Sequence, residues 1–201
     1  MKINNTQLIS ELLGITNRLI VVAKDFKTLD LAQLTFKRNP SEWSILECLE
    51  HLNLYGDFYL PAIEIKMLAH KQTTTGSYTP GVLGNYFVKL VRVKEKQKKM
   101  STTSDKNPAK QSRQLSPTVI DRFLRQQERL KILLERAQDL DLGKIRTPVS
   151  ISSLIRLKLG DTLRFVVYHN ERHVGQAERM LSLQFSVNSL TIKQLANHPM
   201  N

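Results

Sequence analysis

The sequence predicts an all-α fold, a four-helix bundle in a single domain. Four segments repeat apolar residues at the helical period, two of them open on recognisable start signals, and no comparably clear β-alternation appears. At 201 residues the chain has the size of one domain. Its core is read as roughly residues 5–182, with a basic insertion over roughly 86–115 between the second and third helices and a C-terminal tail over 183–201.

The first helix is carried by Leu8, Leu12, Ile15, Leu19 and Val22, whose steps of four and three stack them on one face. The second should begin at Ser44, because Ser44-Ile45-Leu46-Glu47 has the form of a capping box, each end satisfying a backbone N–H of the other. Ile45, Leu49, Leu52, Gly56 and Tyr59 then hold the period until Pro61, which removes a backbone donor and should kink or end the helix. Residues 73–84 read as loop, and Tyr86–Lys99 as a short basic helix. Ser116-Pro117 signals the third helix, with Ser as cap and Pro in the first turn, followed by Val119, Phe123, Leu130, Leu134 and Ala137. After a loop at Pro148, Asp161 is the expected cap of a fourth helix bearing Val166, His169, His173, Ala177 and Met180.

Charge divides unevenly along this plan. The net charge is +12, and Lys89–Arg113 alone holds nine basic residues against Glu95 and Asp105. A basic stretch can track a phosphate backbone, which makes a non-catalytic module binding nucleic acid or an acidic partner through residues 89–113 the alternative function. That stretch contains no aromatic residue on which a base could stack. The preferred reading is therefore a solvated loop over Ser101–Ser116. One cysteine excludes a disulfide framework and cysteine-rich zinc motifs. The longest apolar run, Leu19–Ala23, is far short of a membrane span, and residues 1–7 lack a signal-peptide core, so the expectation is a cytoplasmic protein with no membrane partner.

His169 and His173 lie four apart, so both imidazoles project from one helix face within reach of one metal ion. A hydrogen-bonded core pair is the competing explanation. Glu171 follows His169 by two residues, about 200° around the helix, which turns it away and argues against metalloprotease chemistry. His51 is the natural third candidate, with Glu47 a turn before it and Tyr55 a turn after. Cys48 could supply a thiolate instead, though a small buried apolar role suits it better. His70 and His198 are poorly placed as ligands.

The run Trp43-Ser44-Ile45-Leu46-Glu47-Cys48-Leu49-Glu50-His51-Leu52 resembles the Trp-Ser-x-x-Glu-x-x-x-His-Leu signature of the DinB-like (DinB/YfiT) metalloenzyme superfamily. His169-Asn170-Glu171-Arg172-His173-Val174-Gly175-Gln176 is similar to its second signature, His-x-x-x-His-x-x-Gln. The resemblance implies a DinB-type four-helix bundle in which His51, His169 and His173 bind one divalent metal ion, zinc or nickel first, iron or manganese next. Three imidazoles leave coordination positions open for water or substrate, so it further implies a metal-dependent hydrolase or a low-molecular-weight-thiol (bacillithiol-type) S-transferase, acting on a small molecule and forming a homodimer. Glu47 is the candidate for orienting His51 or serving as a base. Asn170 and Gln176 are candidates for hydrogen bonds to ligands, Trp43 for a plug at the helix start, and Gly175 for close helix packing.

Overall fold

The structure is a computed structural model that describes residues 2–71, 73, 75–93, 102–110 and 114–196, with side chains described to Phe185 except that of Ser153. It is mostly helical. Four long helices, α1 (Asn5–Phe26), α3 (Ile45–Leu68), α5 (Thr118–Ala137) and α6 (Leu159–Ala196), are joined by the shorter α2 (Leu31–Thr35) and α4 (Val82–Val91). Two small antiparallel pairs complete it: β1 (Ile3–Asn4) with β2 (Ser77–Tyr78), and β3 (Arg146–Val149) with β4 (Ser152–Lys158). α3 and α1 each pack against both α5 and α6. No helix among the described residues is long and apolar enough to cross a membrane.

Local chemistry sets three of the helix starts. Asn4 accepts a bond from the Gln7 N–H at the head of α1. The Ser44–Glu47 capping box is present at the head of α3, the Glu47 N–H donating to Ser44 Oγ (3.2 Å) and the Ser44 N–H to Glu47 Oε2 (2.8 Å). Asp30 and Gln33 make a second capping box at α2, a helix of five residues too short to show a period. Pro61 lies inside α3, which runs on to Leu68 rather than ending there. At α5 the expected Ser116 cap is not made: its hydroxyl bonds Thr118 Oγ1 (2.7 Å), and only its carbonyl joins the first turn.

Asp161 is not a cap either. It sits inside the first turn of α6, buried, where its carboxylate accepts from the Gly81 N–H (2.8 Å) and the Tyr78 hydroxyl (3.3 Å), with Arg164 3.4 Å away. Burial raises its pKa, against the pull of these donors. The backbone of α4 comes close enough that a Cβ on Gly84 would lie 2.5 Å from both Cβ and Cγ of Asp161. Gly84→Ala should therefore cost about 1–3 kcal/mol through overpacking, measured as a fall in the urea midpoint; an unchanged midpoint would contradict this packing.

The hairpin β3–β4 was not expected. Pro148 interrupts β3, which a two-stranded ribbon tolerates because both strands are edges, and Leu154 of β4 is 91% exposed, which spoils the alternation. α6 also continues to Ala196, well into the stretch read as tail. Gly175 meets only Arg179 at ordinary contact distance, so no close helix approach explains it.

The apolar interior falls into two clusters. One holds Leu46, Leu49 and Leu52 of α3 with Val174 and Ala177 of α6; the other holds Tyr59, Leu60 and Ile63 of α3 with Leu163, Val167 and Tyr168 of α6. Each fully buried side chain of this kind contributes about 1.5–3 kcal/mol. Along both helices one cluster gives way to the other over a single interval, residues 52–59 and 168–174. That interval borders or contains all three candidate histidines.

Candidate metal centre

α3 delivers His51 two turns after its capped start, and α6 delivers His169 and His173 from one face. The structure brings these three together: one ring nitrogen from each lies within 4.8 Å of the others. Ligands 2.0–2.1 Å from a shared ion can be at most about 4.2 Å apart, so small ring rotations bring this group into coordination range. His51 and His169 are buried and His173 half-buried.

The hydrogen bonds set which nitrogens face inward. His51 Nδ1–H donates to the backbone carbonyl of Lys106 at 2.6 Å, which leaves its Nε2 lone pair directed at His169 Nε2, 3.2 Å away. His173 Nδ1–H donates to Gln176 Oε1 at 3.0 Å, leaving its Nε2 free as well. Gln176 thus orients a histidine. Asn170 is buried and donates to Gln127 Oε1 on α5 (3.1 Å).

Burial dominates the electrostatics. It lowers the His51 pKa from 6.5 to about 4 against the opposing Lys106 bond, and it lowers His169 and His173 well below 6.5, helped by repulsion from His173 and His51 at His169 and from His51 at His173. All three are neutral at pH 7 and offer lone pairs. In the metal-free protein the unfolded chain protonates first, so stability present above pH 6.5 is lost as pH falls towards 4. At pH 5 burial of His51 alone should cost roughly 2 kcal/mol relative to pH 7.5, and His169 and His173 add to it in the same direction. Urea midpoints of metal-free protein should fall accordingly, and a midpoint flat over that interval would contradict the burial.

Aromatic rings enclose the site. Trp43 packs on His51 and His173 with ring centroids 4.8 and 5.7 Å away, and Tyr55 lies 4.8 Å from His51 and 4.5 Å from His169. Phe165 stacks parallel to His169. A cavity of about 10 Å³, the size of one water molecule, lies beside His169 between Tyr55, Tyr59 and Phe165. Trp43 is accordingly a wall of the site as well as a plug at the helix start.

The remaining candidates lie elsewhere. Glu47 spends one carboxylate oxygen on the Ser44 N–H and the other on Lys37 Nζ (3.0 Å). Cys48 is fully buried in an apolar cluster, and burial pushes its thiol pKa up, which disfavours a thiolate. Glu171 pairs with Arg18 on α1, away from the histidines. His70 is exposed at the end of α3, and His198 lies outside the described residues. The contribution missed from sequence is the Lys106 carbonyl, a main-chain atom in a stretch read as solvated loop. Pro108, buried two residues later, is the apolar signal that marks it.

The donor set suits a metal ion: three neutral imidazoles, two of them oriented by acceptors behind the ring. The group could hold one metal ion. No curated protein and no solved structure matches the chain. The family model of the DinB superfamily matches residues 21–177, an interval that contains all three histidines, and the chain belongs to that superfamily.

Proposed function

We propose that this protein is a metal-dependent enzyme of DinB type, a hydrolase or low-molecular-weight-thiol S-transferase, with its long helices arranged as the family's four-helix bundle. His51, His169 and His173 hold one divalent ion, zinc or nickel first and iron or manganese next. The observation that carries this reading is the meeting of three neutral imidazole nitrogens from two helices, two of them on buried residues and one on a half-buried one. A structural zinc site closes all four positions, whereas three protein ligands leave one for substrate.

Bound there, the ion supplies Lewis acidity, which activates water or a thiol. The chain's own residues do the rest. Lys106 and Gln176 fix the tautomers of His51 and His173, while Trp43, Tyr55 and Phe165 exclude bulk water. Glu47 acts through position, since its capping box sets where α3 begins and so where His51 stands.

The test is metal titration of chelator-stripped protein followed by two assay panels, activated esters and amides for hydrolysis and electrophilic acceptors with small thiols for transfer. One equivalent of metal with turnover in either panel is the expected result. Metal-replete protein inactive in both would refute the catalytic half of the reading.

A further inference from the structure

The basic insertion lies outside both histidine signatures, yet part of it reaches the site. Two single-turn 3-10 helices, Ser104–Lys106 and Pro108–Lys110, pack against α3. They brace themselves: the Lys106 N–H donates to the Thr103 carbonyl, the Lys110 N–H to the Asn107 carbonyl, and the Ala109 N–H to Asn107 Oδ1. Pro108 is buried, the Thr102 hydroxyl is buried beside Tyr55, and the Lys106 side chain is only 18% exposed. A stretch whose composition suits solvent is thus seated by its backbone and one proline.

Its contact with the site is the 2.6 Å bond from His51 Nδ1–H to the Lys106 carbonyl. The acceptor behind a ligating imidazole decides which nitrogen carries the proton, and loss of such a partner typically weakens metal binding by about 10- to 100-fold. His51 is bonded at Nδ1 by no other group among the described residues. Without Lys106 the ring would be free to protonate Nε2, the nitrogen that faces His169.

We propose that residues 102–110 form a strap belonging to the metal centre, in which the Lys106 carbonyl is a positioning group that presents the His51 Nε2 lone pair to the ion. The inference rests on the metal-binding reading above. Because the acceptor is a main-chain atom, seating of the strap matters and the identity of the Lys106 side chain does not.

Three variants test this. One replaces residues 102–110 by a length-matched Gly/Ser segment, one is Pro108→Gly, which loosens the strap with less risk to folding, and one is Lys106→Ala, which keeps the carbonyl. Zinc affinity is measured by competition with a chromophoric chelator, and the His51 tautomer by ¹⁵N NMR of metal-free protein, its signal identified by its loss in His51→Ala. The Gly/Ser replacement should bind zinc about 10- to 100-fold more weakly and lose the fixed Nδ1–H tautomer. Pro108→Gly should move the same way, and Lys106→Ala should stay within about threefold of the parent.

Unchanged affinity and tautomer in both loosened variants would overturn the strap alone. Loss in Lys106→Ala equal to that of the replacement would overturn the main-chain assignment. Zinc binding to neither parent nor variants would instead overturn the metal-centre reading and this inference with it.

Discussion

Exchange of His169 for alanine is expected to weaken divalent-metal binding by roughly 100- to 1000-fold, the share of one ligand in sites whose four ligands together contribute about 10–16 kcal/mol. His169 is the member with ring neighbours on every side: His51 and His173 at 5.1 and 4.8 Å, Tyr55 at 4.5 Å and Phe165 at 5.5 Å between centroids. His70→Ala is the matched control, since His70 is exposed and bonds only within its own helix end, at the Lys66 carbonyl. Isothermal titration on chelator-stripped protein decides the matter. Stoichiometric, tight metal in His169→Ala would show that the ion sits elsewhere.

The largest expected effect on stability lies one helix away. Glu50 is buried, and Arg122 of α5 reaches both its carboxylate oxygens at 3.0 and 3.3 Å while also pairing with Asp57. Removing one member of a buried pair strands the other charge, at a cost of about 3–5 kcal/mol. Arg122 is 31% exposed, which lets water relieve part of that, so Arg122→Ala should cost about 3 kcal/mol. Replacing both residues by leucine removes the stranded charge and should restore most of the loss. Urea unfolding of the single and double variants measures it, and a cost below about 1 kcal/mol for Arg122→Ala would rule out the pair as a brace between α3 and α5.

What the sequence disclosed follows the range of the interactions involved. The Ser44–Glu47 box, the α1 and α5 stripes and the His169/His173 face are decided within seven residues or so of chain, and each stands where the spacing put it. Of the two outcomes expected at Pro61, the helix does not end there, because the local cost is outweighed by flanking residues Tyr59, Leu60 and Ile63, all buried in one cluster. Asp161 was assigned by residue type, whereas its carboxylate is claimed by Tyr78 and Gly81, some eighty residues earlier. Glu50 and Arg122 gave no sign of each other across 72 residues, because a charge pair has no period. Lys106 was hardest, since a backbone carbonyl carries no letter, and the polar composition around it argued for solvent.

Trp43 is the chain's one tryptophan, and its ring lies against His51 and His173. The protein therefore carries an optical reporter beside its three-histidine cluster, with no second indole to blur the signal. An ion with an open d shell, such as Ni²⁺ or Co²⁺, should quench that fluorescence as it arrives. Filled-shell Zn²⁺ should shift it with little quenching, so the emission separates uptake of an open-shell ion from uptake of zinc.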